Sequence, residues 1–355
     1  MLLAALTVGL VGATLSASAQ AAAPAGFVGM SAQDVFAGNA RYKAAQLEAM
    51  HAAGVTLVRQ VFDWSVIESR PGFYNFSSYD STVLEAAKLG IQIMPILFNE
   101  PGFLSSRPRR SHVHGTYPPK NLNSIAAFAQ AAVRWYGPGG GFWARHPSVT
   151  PLPIRVWQVW DEPNLNIYWL PKPSAVQYVT MLKSASQAIH AVDPGAEVVS
   201  AGIPQSTLGI PLLTYLNSML VAGAANWMNT LGVNAYSRSP AGLIAKLASA
   251  RAALNAHGAT NIAIRATEFG WSDKGPGSPF ELSPKGQASA IGTVIPDLYN
   301  ARTQLDLSGF VYFDWRDSKP YPGVGDFWGL HTGLLNLAGK PKLAFKAFSN
   351  AANAL

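Results

Sequence analysis

The sequence predicts an α/β protein whose fold is a single (β/α)8 TIM barrel over residues 27–355. Short runs rich in Val and Ile alternate with longer, Ala-rich amphipathic stretches from residue 27 onward, and eight of each can be counted. Neither a linker nor a low-complexity segment interrupts this alternation, and 355 residues fit one domain of this class. A doubly wound open sheet is the alternative, but no glycine-rich phosphate loop follows the first strand.

Each predicted strand is a short apolar run bounded by polar or turn-forming residues. In chain order the predicted strands are Phe27–Met30, Leu57–Phe62, Gln92–Leu97, Arg155–Trp160, Glu197–Ala201, Thr230–Asn234, Ile262–Thr267 and Gly309–Phe313. Each predicted helix is an Ala-rich stretch that follows one strand. The predicted helices are residues 39–53, 79–89, 122–136, 174–192, 208–222, 240–257, 284–305 and 340–353.

Residues 1–22 have the features of a signal peptide. An apolar core is followed by small residues, and Ala17-Ser18-Ala19 fits a signal-peptidase site. The stretch is too short and too rich in small residues to span a bilayer. No Lys or Arg precedes Arg41, which departs from the usual basic start of such a segment. We therefore expect an exported chain that is secreted, with no membrane contact after cleavage.

Composition and charge exclude several classes of protein. A hydrophobic content of 49% with 13% charged residues is typical of a well-cored globular protein and not of a disordered one. The absence of Cys excludes disulfides and thiolate metal sites. A net charge of +7 would suit an acidic polymer or a membrane surface, but the basic residues do not form one long block. We therefore expect a monomer with neither a nucleic-acid nor a membrane partner.

The densest basic cluster is the stretch RPRRSHVHGTYPPK at residues 107–120. If this loop lines a substrate groove, its arginines favour a ligand that carries a carboxylate or phosphate; the alternative is a solvated loop. His112 and His114 form an H-x-H pair, but no acids lie at a metal-ligand spacing from them, which favours a surface loop. We predict no metal and no other cofactor.

Polar and aromatic residues cluster where the predicted strands end. Strands 2, 3 and 4 are followed by FDWSVIESRPGFYNF, FNEPGF and WDEPNLNIYW, and strands 6, 7 and 8 end in NAYS, TEFGWSD and DWRDSKPY. The opposite strand ends carry mostly Gly, Ala, Asn and Thr. Because barrel enzymes place their chemistry at the carboxyl ends of the strands, we predict the functional site there.

Two glutamates at these ends form a candidate catalytic pair. Glu162 follows strand 4 and Glu268 follows strand 7, so both side chains can lean into the same mouth of a barrel. Glycoside hydrolysis uses two such carboxylates across a cleft, one as acid and one as nucleophile or base. The alternative is that each glutamate is a structural salt-bridge partner. We expect four exposed tryptophans beside the pair to pack on sugar rings: Trp160, Trp169, Trp271 and Trp315.

These segments resemble the clan A glycoside hydrolases, which are retaining (β/α)8-barrel enzymes, and within them the family 39 and family 5 types (β-xylosidase-like and cellulase-like). VWQVWDEPN is similar to the strand 4 motif whose Glu is the acid/base, which implies that role for Glu162. IRATEFGW is similar to the strand 7 motif whose Glu is the nucleophile, which implies that role for Glu268. The motifs occur in the family's order, one per expected strand, across essentially the whole mature chain.

The resemblance also implies substrate-binding roles. Arg59 in LVRQVF matches an Arg that hydrogen-bonds near the nucleophile, and Tyr236 in GVNAYS matches a Tyr that orients it. Trp315 in GFVYFDW matches a Trp that floors the sugar site. The closing GLLNLAGKPKLAFKAF resembles the family's final turn and helix. The full set of candidate substrate-binding residues is Arg59, Trp64, Glu100, Asp161, Tyr236, Trp271 and Trp315.

FNEPGF at residues 98–103 looks like a second copy of the strand 4 motif. It follows strand 3, however, where the family has a loop and not its acid/base, so Glu100 cannot replace Glu162 in the pair with strand 7. Two interpretations of Glu100 stay open. It contacts substrate at the same mouth, or it fixes the loop through a salt bridge, for example with Arg107 or Arg109.

Asp161 departs from the family pattern, which has Asn before the acid/base as a hydrogen-bond donor to the sugar 2-hydroxyl. An ionised Asp cannot donate, and its charge raises the pKa of a neighbouring glutamic acid. Three interpretations stay open. The substrate has an unusual geometry or presents a donor; or Asp161 pairs with a cation, such as an arginine from a neighbouring strand end; or activity is reduced or lost.

The predicted function is a retaining O-glycoside hydrolase that acts on a polysaccharide or oligosaccharide by double displacement, with Glu162 as acid/base and Glu268 as nucleophile. A transglycosylase on the same scaffold and a non-catalytic carbohydrate-binding protein are the alternatives. The clan's geometry implies equatorial leaving groups, such as β-D-gluco or α-L-arabino configurations. The expected partner is therefore a carbohydrate, anionic if the basic loop lines the groove.

Overall fold

Eight parallel strands form a closed barrel in chain order, and β1 pairs with β8 as well as with β2. The computed structural model describes residues 22–32, 35, 37–320 and 325–355. The predicted (β/α)8 TIM barrel is confirmed. The predicted signal peptide lies outside the described residues, apart from residue 22. No helix in the described ranges has the length and apolarity that a membrane-spanning segment needs.

The strands lie within two residues of their predicted bounds. Apolar runs locate them well because both faces of a parallel barrel strand are covered, one by the barrel interior and one by helices. The strands are β1 (Val28–Ser31), β2 (Leu57–Asp63), β3 (Gln92–Phe98), β4 (Val156–Val159), β5 (Glu197–Val199), β6 (Thr230–Asn234), β7 (Ala263–Phe269) and β8 (Leu307–Tyr312).

All eight predicted helices are present, together with two four-residue helices that the sequence pattern did not indicate. The helices are α1 (Ala40–Ala52), α2 (Trp64–Ile67), α3 (Ser77–Lys88), α4 (Ile125–Tyr136), α5 (Gly141–Ala144), α6 (Ala175–His190), α7 (Leu212–Val221), α8 (Pro240–Ala256), α9 (Pro284–Leu305) and α10 (Leu343–Ala352). Side-chain caps define several starts, since Ser239 and Ser283 each accept a first-turn N–H and precede a Pro at the first helical position.

Helix α7 begins four residues later than predicted. Residues 204–210 are held instead against the loop that follows β4. The Asn164 side chain donates to the carbonyls of Pro204 (2.9 Å) and Ile210 (2.8 Å), and Leu165 forms a bridge with Gly209. A Cβ at Gly209 would lie 2.0 Å from the Asn164 carbonyl oxygen, so only glycine allows this approach.

The loops at the carboxyl ends of β3, β4 and β5 are tied to one another by backbone hydrogen bonds. The N–H of Thr116 donates to the carbonyl of Ile167 at 2.8 Å, and the N–H of Leu170 donates to Thr116 at 3.0 Å. The N–H of Asn166 likewise donates to Leu208 at 3.1 Å. One rim of the barrel mouth is therefore a connected wall and not three independent loops.

Strand β6 meets β7 with a register shift at its last residue. Val233 pairs with Ala266, but Asn234 pairs with Glu268, so β7 accommodates one extra residue. Bulges of this kind re-aim side chains next to functional sites. Here the bulge sets Asn234 and Glu268 side by side at the mouth.

Candidate active site

Arg59 on β2 connects the acidic residues of β4 and β7. Its side chain is completely buried. Its Nη1 donates to Glu268 Oε1, its Nη2 donates to Asp161 Oδ1 at 2.9 Å, and its Nε donates to Gln158 Oε1 at 2.8 Å. The planar guanidinium is suited to this, because it can bind two carboxylates in fixed directions. One buried cation thus holds two carboxylates at the mouth.

Glu268 lies within β7 and is bound through both oxygens. Arg59 contacts Oε1, and the hydroxyl of Tyr236 donates to Oε2 at 2.8 Å. The residue is 7% exposed. These two donors fix the carboxylate in one orientation, which is what a nucleophile requires. The positions that the resemblance implied for Arg59 and Tyr236 are thus next to Glu268.

Glu162 lies three residues after β4, on a backbone with unusual dihedrals. Trp160 and Glu162 are non-glycine residues with φ of 68° and 43°, in the left-handed region. The N–H of Glu162 donates to Gly202 at 3.1 Å, which helps to hold this conformation. Such backbone positions concentrate at functional sites, where surrounding contacts maintain them. The conformation brings Glu162 to the same mouth as Glu268.

The Glu162 side chain has only a neutral partner. It accepts a hydrogen bond from Asn234 Nδ2 at 2.7 Å, and Thr267 Oγ1 donates to Asn234 Oδ1 at 2.8 Å, which fixes the orientation of that amide. Burial, and then the negative charges of Asp161 and Glu268, raise the pKa of Glu162 well above its ordinary value. The pKa of Asp161 is also raised, to about 7, but Asp161 and Glu268 contact Arg59, so the surroundings favour the protonated form most strongly for Glu162.

Asp161 pairs with a cation, which was one of its three interpretations, but the arginine is Arg59 on β2, which is two strands away from β4 in the barrel and not its neighbour. Besides Arg59, it accepts a bond from Gln158 Nε2 at 3.3 Å. Burial raises the pKa of Asp161 above its ordinary value, although Arg59 opposes this effect. Gln158 and Asn234 were not predicted from the sequence as members of the site. Asn234 could have been found, since it ends β6 inside the GVNAYS segment.

The expectation of exposed tryptophans around the pair is wrong. The indole N–H groups point to partners in the core: Trp64 donates to Glu68 (2.6 Å), Trp271 to Ser237 (2.8 Å) and Trp315 to Gln46 (2.8 Å). These rings are almost completely inaccessible, so they present no face to a ligand. The buried tryptophans, none more than 1% exposed, are Trp64, Trp160, Trp169, Trp271 and Trp315.

A cavity of about 580 Å³ opens beside Glu162 and Tyr236, and we call it the acid-side cavity. The loops after β4, β5, β7 and β8 form its walls. Trp328 is half-buried and its indole lines the cavity, whereas the buried tryptophans named above do not line it. Trp328 was not selected from the sequence as a site residue, because it lies well beyond the end of β8. The apolar residues in the wall include Leu165, Ile167, Tyr168, Leu208, Phe280 and Trp328.

Glu100 lies in a different cavity, of about 490 Å³, under the basic loop. The predicted salt bridge is wrong, because no ion pair joins Glu100 to Arg107 or Arg109 within the described residues; both arginines are exposed. Glu100 is instead 7% exposed and hydrogen-bonded to Ser105, with Oε2 unpartnered. Burial raises its pKa to about 7.

The basic loop itself is solvated. His112 and His114 are exposed, as a surface loop predicts. The arginines 107 and 109 line the cavity around Glu100 and do not line the acid-side cavity. In the part of the chain that the structure describes, no group of three His, Asp or Glu residues is placed to hold a metal ion.

The fold, but not the sequence, has recognisable relatives. No family model matches the chain, and no curated protein sequence does. Among solved structures, a monomeric β-xylosidase from Caulobacter crescentus superposes with a TM-score of 0.67 at 17% identity, covering 91% of this chain and 66% of its own. A family 39 enzyme from Xanthomonas axonopodis pv. citri gives 0.68 at 19% identity, covering 93% and 67%.

A family 39 glycoside hydrolase from Bacteroides cellulosilyticus gives a TM-score of 0.63 at 16% identity, covering 92% of this chain and 63% of its own. The chain thus spans about two thirds of the length of the structures it matches. At these identities the likeness shows a shared barrel fold. The fold that the clan A and family 39 resemblance implied is therefore confirmed over more than nine tenths of the chain.

Proposed function

We propose that this protein is a retaining O-glycoside hydrolase in which Glu162 is the acid/base and Glu268 is the nucleophile. One observation carries the proposal: two glutamates share a mouth, and their surroundings differ. Glu268 is bound by Arg59 and Tyr236, whereas Glu162 has a raised pKa and a neutral amide partner. Pairs of carboxyl groups with such different surroundings divide the acid and nucleophile roles between them.

The first chemical step forms a glycosyl ester. A carboxylate oxygen of Glu268 bonds to the anomeric carbon while the bond from that carbon to the leaving oxygen breaks. Glu162 gives its proton to that oxygen, so the leaving group departs as a neutral alcohol. Arg59 and Tyr236 hold Glu268 in line for attack and stabilise its charge in the free enzyme.

The second step releases the sugar. Glu162, now ionised, takes a proton from a water molecule, and the water oxygen bonds to the anomeric carbon as the ester bond to Glu268 breaks. Both glutamates return to their starting protonation states. Two displacements at one carbon give net retention of configuration. The structures of similar fold include enzymes described as a β-xylosidase and an exo-β-1,4-mannosidase, which supports this reaction class.

The proposal is tested with a panel of aryl β-D- and α-L-glycosides, in pyranose and furanose forms, followed by NMR of the first product. We expect at least one glycoside to be hydrolysed with retention. Glu268→Gln should lose activity on every substrate by at least about 10³-fold, because no nucleophile remains. Glu162→Gln should lose activity mainly on substrates with poor leaving groups, because a dinitrophenolate departs without protonation.

The matched control is Glu48→Gln, which removes an exposed carboxylate on α1. It should retain wild-type kinetics. If wild type hydrolyses no glycoside in the panel but binds oligosaccharides, the protein is a binding module and the proposal is wrong. Exclusive transfer to added sugar acceptors would instead identify a transglycosylase.

We further propose that the chain is exported and secreted after removal of residues 1–22, and that it acts as a monomer. The apolar, small-residue composition of that segment supports export. N-terminal sequencing of protein recovered from the medium should begin between residue 20, which follows the Ala17-Ser18-Ala19 site, and residue 23. Recovery of the intact N-terminus from the cell interior would contradict it.

A further inference from the structure

The acid-side cavity has walls that are mostly apolar. Leu165, Ile167 and Tyr168 come from the loop after β4, and Leu208 comes from the loop after β5. Phe280 and Trp328 come from the loops after β7 and β8. Ile167 is 45% exposed and Leu208 is 61% exposed, so two large apolar side chains are uncovered at its edge. A concentration of exposed apolar residues at a cleft marks a surface that binds a ligand.

The aromatic side of the cavity is ordered around Trp328. Its ring centroid lies 4.8 Å from that of Phe280 and 4.9 Å from that of Tyr236, in edge-to-face arrangements. Tyr236 is the residue that donates to Glu268. The rings therefore connect the cavity wall directly to the nucleophile, and edge-to-face packing holds them in position without a ligand.

Three of the polar side chains of the wall each have one atom in contact with the protein. Gln205 Oε1 accepts from the N–H of Leu212 at 3.2 Å, and Ser206 Oγ accepts from the N–H of Leu208 at 3.0 Å. Asp326 Oδ1 lies 2.7 Å from His331 Nε2. Among the described wall residues, apolar and aromatic side chains outnumber polar ones, so a ligand with several hydroxyl groups would leave some of them against apolar surface, which costs free energy.

The position of the cavity next to Glu162 indicates which part of a substrate it binds. A catalytic acid protonates the oxygen of the leaving group, so the leaving group must lie next to Glu162, and Glu162 is part of this wall. From the proposed function together with this lining, we infer that the leaving group is apolar. The protein's substrates are glycosides of aryl or long-chain alkyl alcohols, and the acid-side cavity binds the aryl or alkyl part.

The test uses methyl, butyl, hexyl and octyl glycosides of whichever sugar the aryl-glycoside panel identifies, below their micelle concentrations, with the β-linked disaccharide of that sugar. The alcohols differ little in acidity, so chain length reports binding of the leaving group and not its chemical reactivity. We expect kcat/KM to rise by about threefold for each added methylene that is buried, and the octyl glycoside to exceed the disaccharide by at least about tenfold.

Two variants place the effect in the cavity. Ile167→Asn and Leu208→Ser replace exposed side chains, so folding should be preserved, and each should reduce the octyl-to-methyl ratio of kcat/KM several-fold. The matched control is Val221→Ser, a 79% exposed residue at the end of α7 and outside the cavity, which should leave that ratio unchanged.

The outcomes separate this inference from the proposed function. Turnover with no dependence on chain length, or a preference for the disaccharide, contradicts the apolar leaving group and leaves the hydrolase proposal standing. A chain-length effect that Leu208→Ser and Ile167→Asn do not change contradicts the assignment to this cavity. No turnover of any glycoside contradicts both.

Discussion

Three carboxyl groups, those of Asp161, Glu162 and Glu268, lie at the barrel mouth near one guanidinium, that of Arg59. Because the acids outnumber the cation, the contacts of each acid decide which of them is protonated most readily. Asp161 and Glu268 both contact Arg59, whereas Glu162 contacts the amide of Asn234. Three negative charges this close to one positive charge, one of them buried and two partly buried, repel one another, which favours a proton on one of the three groups. Glu162 is that group because it alone lacks the cation. The acid role that we propose for Glu162 thus rests on its contacts as well as on the position of its motif.

Asp161→Asn tests this account of the acid. Removing the Asp161 charge removes one cause of the raised pKa of Glu162, so that pKa should fall. The acid must be protonated to act, so kcat/KM falls as pH rises through its pKa, and this basic limb should move to lower pH. On the alkaline side the variant should lose about tenfold in kcat/KM for each pH unit of displacement.

The measurement is the pH profile of kcat/KM with an alkyl glycoside, whose poor leaving group makes protonation necessary. Glu48→Gln serves again as the control that removes a carboxylate at the surface. A basic limb that stays in place, or moves to higher pH, would show that Asp161 does not hold the proton on Glu162.

Glu100 makes stability depend on pH. Its pKa rises from an ordinary 4.5 to about 7 on folding, chiefly through burial. The folded state therefore binds a proton more tightly than the unfolded state. This contribution to stability is complete below about pH 4.5 and is lost as pH rises through 7. It amounts to about 3 kcal/mol at most.

Glu100→Gln removes that ionisation. We compare the free energy of unfolding of Glu100→Gln with that of wild type at each pH. The variant minus wild-type difference should be larger at pH 8 than at pH 5 by up to about 3 kcal/mol. Urea denaturation of both proteins at the two pH values gives this double difference. The contributions of the other titrating groups cancel in it, because those groups are present in both proteins. Glu281→Gln, an exposed change, should give a double difference of zero. A zero or opposite result for Glu100→Gln would mean that Glu100 is ionised in the folded protein.

At the scale of elements, the rim of the mouth depends on one buried amide. Asn164, the last residue of WDEPN, is 0% exposed and joins the loop after β4 to residues 204–210. Asn164→Ala leaves the carbonyls of Pro204 and Ile210 without these donors. Two lost hydrogen bonds to buried groups should cost about 2–4 kcal/mol of unfolding free energy.

The local effect of Asn164→Ala should appear in hydrogen exchange. Amides of residues 205–210 should lose protection while β6 and β7 keep theirs, because the loop opens without the barrel. Asn255→Ala, an exposed Asn on α8, is the control and should change neither stability nor exchange. Unchanged protection in residues 205–210 would show that the backbone bonds alone hold this rim.

For the whole molecule, the barrel and the placement of Glu162 and Glu268 at one mouth were predictable from the sequence, but the walls of the cleft were not. Apolar runs located every strand because barrel strands are covered on both faces, and the strand order then placed Glu162 and Glu268 at one mouth. Strand ends do not indicate side-chain direction, so buried tryptophans such as Trp271 and Trp315 were predicted as exposed. The wall residues Leu208 and Trp328 were missed because they lie in loops, which have no periodicity.

The same limit explains one wrong ion pair and one wrong helix start. Arg107 and Arg109 are close to Glu100 in sequence, but solvation of a guanidinium in an exposed loop competes with an ion pair there. The late start of α7 depends on Asn164, which is far away in the chain. Contacts of that kind become visible only when the loops are seen together.

The central claim is that Glu268 forms a covalent bond to the sugar, and trapping that intermediate tests it most directly. The reagent is a 2-deoxy-2-fluoro dinitrophenyl glycoside of the sugar that the panel identifies; the fluorine slows both steps, and the reactive leaving group lets the first step proceed. Mass spectrometry of digested protein should find one sugar per chain, on the peptide that contains Glu268, and none in Glu268→Gln. A label on another carboxylate, or unlabelled protein that hydrolyses glycosides with inversion, would contradict the account.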